Sequence, residues 1–433
     1  MARFLITVWP LAGHLYPNLA LAHALRSRGH EVCFYTGFDA ATRVQEQGFQ
    51  CFPFRRISQE QFDRIMNSYT STRWKWKKLL EKRAAYREFL VGTLEAQVED
   101  LNELLNSWTP DVLICDPMMW GPYVVLAETR QITVAIFAYV PFCLVPSPEI
   151  PVPGLGLPPP RGWLSRLQAR LGGAITYWAT ANIRREADEI RRRYSLAPLS
   201  IPVSELAGRM PLYLVAGTPE FDYGRKDVPP SVHYVGPCLP PKTDSQPPAE
   251  WLATLPADRP LVHITEGTVH STAPLVLSAA ARGLANLSMH VVMATGTHRR
   301  PADMGLEPLA PNIRVERWVN YNHLLPRTDL VVTTAGAGTV LATLEAGIPM
   351  VLIPTEWDKP EVARRVAEAG AGLLLKPERC RPKSLRVAVE RVLSDPAYRK
   401  NARRLAASFT RYRGPSQAAD LLETLVPATN NKL

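Results

Sequence analysis

"DLVVTTAGAGTVLATLEAGIPMVLIP", residues 329–354, decides how this chain folds. It opens on a strand-like apolar run and passes through Thr-Thr-Ala-Gly-Ala-Gly. It then enters the helical pattern "TVLATLEAG" and leaves through a second apolar run, "PMVLIP". Strand, helix and strand in this order imply parallel neighbours in one sheet. The bend between first strand and helix is built from Gly and Ala alone, which lets a backbone approach something closely. Free N–H groups and the positive end of the helix dipole would then point at one spot, an anion site that suits a diphosphate. No Lys follows, as it would in a nucleotide-hydrolysing P-loop, so phosphate here belongs to a leaving group rather than being transferred. The spacing is not G-x-G-x-x-G, and a dinucleotide reading is weak. Taken alone, Gly336 and Gly338 serve a tight turn equally well.

The same alternation runs outward in both directions. "RFLITVW", "HEVCFYT", "DVLICD" and "ITVAIFAY" read as strands separated by helical stretches, among them "PNLALAHALRSRG", with Pro17 at its start, and residues 90–108. After a Pro-, Ser- and Lys-rich stretch at 236–251 the pattern resumes with "PLVHITEG", "MHVVMATG" and "NIRVERWV". The expected fold is α/β, two Rossmann-like doubly wound domains facing across a cleft. The expected boundaries are 1–235, a linker at 236–250, 251–408, and a terminal helix in 409–433 crossing back to the first domain. Residues 141–160 are proline-rich and read as a long functional loop.

Composition narrows the classes. With 433 residues, 46% hydrophobic and 21% charged, the chain reads as a two-domain globular protein. Its six cysteines are scattered without a CxxC pair, which argues for reduced thiols and a cytoplasmic setting rather than a disulfide framework or zinc site. No signal peptide and no membrane span are expected. The net charge of +10 gathers at 73–87 and 184–194 and reads first as solvated helix faces. Weak contact of 73–87 with an anionic membrane surface is a lesser reading. Nucleic acid is the least supported, since no binding motif accompanies the charge.

In open parallel sheets ligands sit at the carboxyl ends of strands. There the sequence places His14 after the first strand and Asp116 after "DVLIC". A His at such a place can act as a general base, and an Asp accepting from its ring would fix the tautomer. A lone His there more often packs or caps. In the second half, Thr268 could donate to phosphate, and His270 lies two residues on. Trp318 could stack on a base. Glu356 and Asp358 could accept from sugar hydroxyls, though alone each of these residues reads as core or loop.

Together these stretches resemble a known family. "GHLYPNLALAHALRSRGHEV", the run from "RWVNYNHLL" through "PTEWDKPEVARRVAEAGAGL", and the terminal "GPSQAADLLETL" are similar to family-1, nucleotide-sugar-dependent glycosyltransferases of the GT-B architecture, especially bacterial natural-product enzymes. The resemblance covers nearly the whole chain. It implies inverting transfer from a UDP- or dTDP-sugar co-substrate, with no cofactor and no metal. It assigns His14 as base with Asp116 as partner, and Trp318 to the pyrimidine. Thr268, Gly336, Gly338 and Thr339 would hold the diphosphate, and Glu356 and Asp358 the sugar. The family usually has His-Gly-Gly at Thr334, Ala335 and Gly336, the His contacting a phosphate; Thr334 or His270 would have to replace it. Lys359 stands where the family has Gln, Val362 where it has Asn, and Asn320-Tyr321 where it has Pro-Gln. The implied acceptor is a lipophilic hydroxylated small molecule, polyketide- or polyphenol-like. Its pocket would come from 55–90 and 140–180, with Trp74, Phe142 and Trp178 among the lining aromatics. A nucleotide-sugar epimerase, or a non-catalytic helper of another glycosyltransferase, is the alternative. Attachment chemistry and oligomeric state are not encoded in any motif.

Overall fold

The computed structural model describes residues 1–67, 81, 83–151, 156–179, 181–240, 247–267, 274–296 and 299–427, with the backbone alone for 176–179. Two all-parallel sheets organise it. The first contains β1 (Arg3–Thr7), β2 (Glu31–Thr36), β3 (Gln50–Pro53), β4 (Val112–Cys115), β5 (Val134–Ala138), β6 (Leu212–Val215) and β7 (Val232–Tyr234). Their order across the sheet is β3-β2-β1-β4-β5-β6-β7. The second contains β8 (Leu261–Thr265), β9 (His290–Ala294), β10 (Ile313–Glu316), β11 (Leu330–Thr333), β12 (Met350–Leu352) and β13 (Gly372–Leu374), in the order β10-β9-β8-β11-β12-β13.

Both faces of each sheet are covered, so the central strands are apolar throughout rather than alternating. In β1, Leu5 joins one core while Phe4 and Ile6 join the core on the opposite face. Strands β3, β6, β7 and β13 do not stand out in the sequence. They are three or four residues long, and β3 carries Gln50 and Pro53 at its ends.

The first helix, Ala12–Arg26, begins five residues before Pro17, which lies inside it. The sequence pattern places the start at Pro17; the structure places it at Ala12. The chain turns directly from β1 into the helix. Pro17 has no N–H, so it leaves the Gly13 carbonyl without its helical donor at a place still within the opening turns. The consequence is functional, because His14 sits on that first turn.

The chain crosses back at its end. Helix Pro415–Glu423 packs against the first helix, burying Ala418, Ala419 and Leu422 in the core beneath the first sheet. Arg28 and His30 reach Glu423 at 3.0 and 2.8 Å. Among the described residues no helix is long and apolar enough to cross a membrane.

Candidate active site

Each sheet reverses its strand order once, between β1 and β4 and between β8 and β11. At such a switch point the loops diverge and leave a crevice. A cleft of about 1400 Å³ opens over both, lined by residues of both halves.

At the first switch point β1 and β4 are hydrogen-bonded neighbours, with Thr7 opposite Cys115. The segments after them therefore emerge side by side, and a sequence gap of about a hundred residues closes. His14 Nδ1 lies 2.5 Å from Asp116 Oδ2, with both side chains buried. Asp116 Oδ1 accepts from the Met118 N–H at 2.9 Å, so the carboxylate is oriented from both ends. Its acceptor role fixes the proton on Nδ1 and leaves Nε2 as the nitrogen able to take one. The Tyr139 ring stacks on the imidazole with centroids 3.5 Å apart. Burial pushes the Tyr139 phenol well above its ordinary range, with the Asp358 and Asp116 charges adding to the effect, so it stays neutral beside the base. Tyr139 follows β5 directly; the strand-end rule that picked out Asp116 would have found it.

At the second switch point Gly336 precedes the helix Ala337–Glu345, and no side chain caps the helix start. Its first turn borders the cleft, which Gly336, Ala337, Gly338 and Thr339 line; Gly338 is exposed there, and Gly336 and Thr339 are half-buried. Gly336 has an ordinary extended backbone, and the left-handed residue of the bend is Ala335, φ +69°. A Cβ at 336 or 338 would meet no protein atom within 4 Å. The fold itself does not require these two glycines; what their missing side chains leave is room above the helix end. Tyr321 Oη lies 3.4 Å from Thr339 Oγ1 at the edge of this site. Trp318 stands further along the wall, 62% exposed, with its ring available for stacking.

Two expected site residues do not reach the cleft. Thr334 is buried and its hydroxyl donates to the Glu266 carbonyl at 2.8 Å, so it ties the loop to the end of β8 rather than facing a ligand. Glu356 lies outside the lining, because the next residue, Trp357, takes a left-handed φ of +61° and turns itself and Asp358 inward. Trp357, not singled out from the sequence, packs against Tyr86 and Phe89 of the first half, at 5.4 and 5.8 Å. Asp358 and Lys359 both line the cleft. Burial raises the Asp358 carboxyl, against the opposing pull of His14 and Lys359. Phe142 reaches the lining, but its ring is buried beneath the Arg365 guanidinium at 4.0 Å, so it contributes an edge rather than a face. Thr268, His270 and Trp74 lie outside the described residues, as does the side chain of Trp178.

Helix Lys359–Glu368 joins the halves. Arg365 reaches Asp222 with Nη2 and Nε at 2.8 and 3.0 Å, and Glu361 with Nη1 at 3.1 Å. Asp222 also accepts from the Cys143 N–H and the Tyr234 hydroxyl, at 2.9 and 2.7 Å. Glu361 accepts from Gly156 N–H at 2.8 Å, and Arg364 donates to the Gly156 carbonyl at 2.9 Å.

Two facing parallel sheets with one ligand cleft at their switch points define the GT-B class. Residues 280–425 match the family described as erythromycin biosynthesis protein CIII-like, C-terminal domain. The chain is 34% identical to 4'-demethylrebeccamycin synthase of Lentzea aerocolonigenes, over 98% of this chain and all of that protein. It is 26% identical to demethyllactenocin mycarosyltransferase of Streptomyces fradiae, over 98% of this chain and 87% of the relative. The crystal structure of glycosyltransferase VinC in complex with dTDP superposes with a TM-score of 0.70 at 20% identity, covering 98% of this chain and 99% of that one. The chain belongs to the natural-product glycosyltransferases of the GT-B fold, and it is a glycosyltransferase.

Proposed function

We propose that the protein moves a sugar from a UDP- or dTDP-sugar to a hydroxyl of a lipophilic, polyketide- or polyphenol-like acceptor, with inversion at the anomeric carbon. The observation that carries this reading is the pairing of His14 and Asp116 opposite an uncapped helix end in one cleft. The acceptor hydroxyl gives its proton to His14 Nε2 as its oxygen bonds to the anomeric carbon. Asp116 stabilises the imidazolium that results. The bond from that carbon to the β-phosphate oxygen breaks, and its electron pair leaves with the nucleotide. The Ala337–Glu345 helix end faces the charge that develops there. Trp318 would stack on the pyrimidine, and Asp358 would accept from the sugar. VinC, the structural neighbour, was crystallised with dTDP, which supports the pyrimidine-diphosphate reading. A buried, doubly oriented His–Asp pair favours a catalyst over a helper protein, which would not need it.

The test is turnover of UDP- and dTDP-sugars with hydroxylated polycyclic acceptors, read by product mass and anomeric configuration. His14→Ala should lower kcat about 10²–10⁴-fold while nucleotide affinity stays unchanged. Full activity in that variant, or retention of configuration in the product, would refute the proposed mechanism.

A further inference from the structure

The loop that would receive the diphosphate carries no charge of its own. From Thr333 to Thr339 it reads Thr-Thr-Ala-Gly-Ala-Gly-Thr. Thr334, the side chain nearest its start, is already bonded to the Glu266 carbonyl. A helix end supplies about half a positive charge, which is little against a diphosphate. The compensation must come from elsewhere in the wall.

Among the described residues of the second half that line the cleft, two are cations, Arg317 and Lys359. Arg317 is exposed and adjoins Trp318, at the nucleobase end. Lys359 is only 7% exposed and opens its helix just past β12. Nζ donates to Thr355 Oγ1 at 3.2 Å. Burial lowers the Lys359 ammonium, while carboxylates on its own turn (Asp358, Glu356) and at the end of β8 (Glu266) hold it up; Arg299 opposes them. β12 is the hydrogen-bonded neighbour of β11, with Leu352 opposite Thr333, so the segment that carries Lys359 leaves the sheet beside the one that forms the bend, and both line the same cleft. The end of β11 is where the Ala335–Gly336 bend begins.

Resting on the donor reading above, we propose that Lys359 is the cation of the diphosphate site, contacting the β-phosphoryl oxygens that leave with the nucleotide. The side chain follows Asp358 in sequence, so one turn serves both ends of the scissile bond. Asp358 takes the sugar and Lys359 takes the leaving group. The contact strengthens as charge builds on the departing oxygen, so it acts on kcat as well as on donor affinity.

The experiment compares Lys359→Met and Lys359→Arg with wild type, by calorimetric titration of dTDP, UDP, dTMP and UMP and by steady-state kinetics. Lys359→Met should bind the diphosphate at least about 10-fold more weakly, with the monophosphate changed less than about 2-fold, and should lose kcat. Lys359→Arg should restore much of the diphosphate preference. If Lys359→Met binds dTDP and UDP as wild type does, the inference is overturned. An intact dTDP affinity with a raised KM for the dTDP-sugar alone would also overturn it, placing the ammonium on the sugar. Wild-type protein that binds none of the four nucleotides would instead remove the donor reading, and this inference with it.

Discussion

Ala335 occupies a backbone conformation that an L-residue adopts at a cost of about 1–2 kcal/mol. It does so at φ +69° in a fully buried bend, beside the helix end that faces the cleft. Ala335→Gly should therefore stabilise the protein by about 1 kcal/mol, the relief of strain exceeding the added freedom of the unfolded chain. The melting temperature should rise about 2–4 °C; an unchanged or lower value would show that the bend is not strained. Residue by residue, the sequence was uneven as a guide. His14 and Asp116 were legible because strand ends are the places where parallel sheets expose chemistry. Thr334 and Glu356 sit at equally promising strand ends, yet the structure turns them away from the cleft. Their orientation depends on a hydrogen bond to Glu266 and on a left-handed Trp357, and no local pattern encodes either. Tyr139 also follows a strand end and was within reach of the same rule, but as an aromatic after an apolar strand it reads as core, and only the fold shows its ring stacked on His14.

At the scale of elements, helix Lys359–Glu368 has two occupations. Its first turn presents Asp358 and Lys359 to the cleft, and its last turn plants Arg365 between Asp222, Phe142 and Tyr223 of the opposite half. Arg365 and Asp222 are both almost fully buried, so removing one leaves the other's charge desolvated. Arg365→Ala should cost about 3–5 kcal/mol in urea unfolding. Combining it with Asp222→Asn should cost clearly less than the sum of the two single changes; strict additivity would show that the pair is not coupled. The pattern of the helix was readable, since Val362, Ala363 and Val366 form its buried stripe. The clasp was not, because Asp222 and Arg365 are 143 positions apart and only the docked halves bring them together.

For the molecule as a whole, two doubly wound units facing across a cleft were apparent from strand–helix alternation and from the Pro-rich stretch at 236–251. The short strands β3, β7 and β13 were not, since three or four residues carry too little periodicity. The terminal helix belongs to the first unit in packing although it follows the second in sequence. Leu422→Ala, at a fully buried position against the first helix, should cost about 2–5 kcal/mol. That loss should appear in the unfolding of the first unit; nucleotide affinity in the second should stay the same. A weakened nucleotide site with an unshifted melting transition would contradict this division. The returning helix also orders events during synthesis. Domains usually fold as they leave the ribosome, amino-terminal first. Here the piece that closes the core behind His14 is translated after the whole donor half. For tens of seconds, at about 5–20 residues per second, the nascent first half must wait without Ala418, Ala419 and Leu422 in its core.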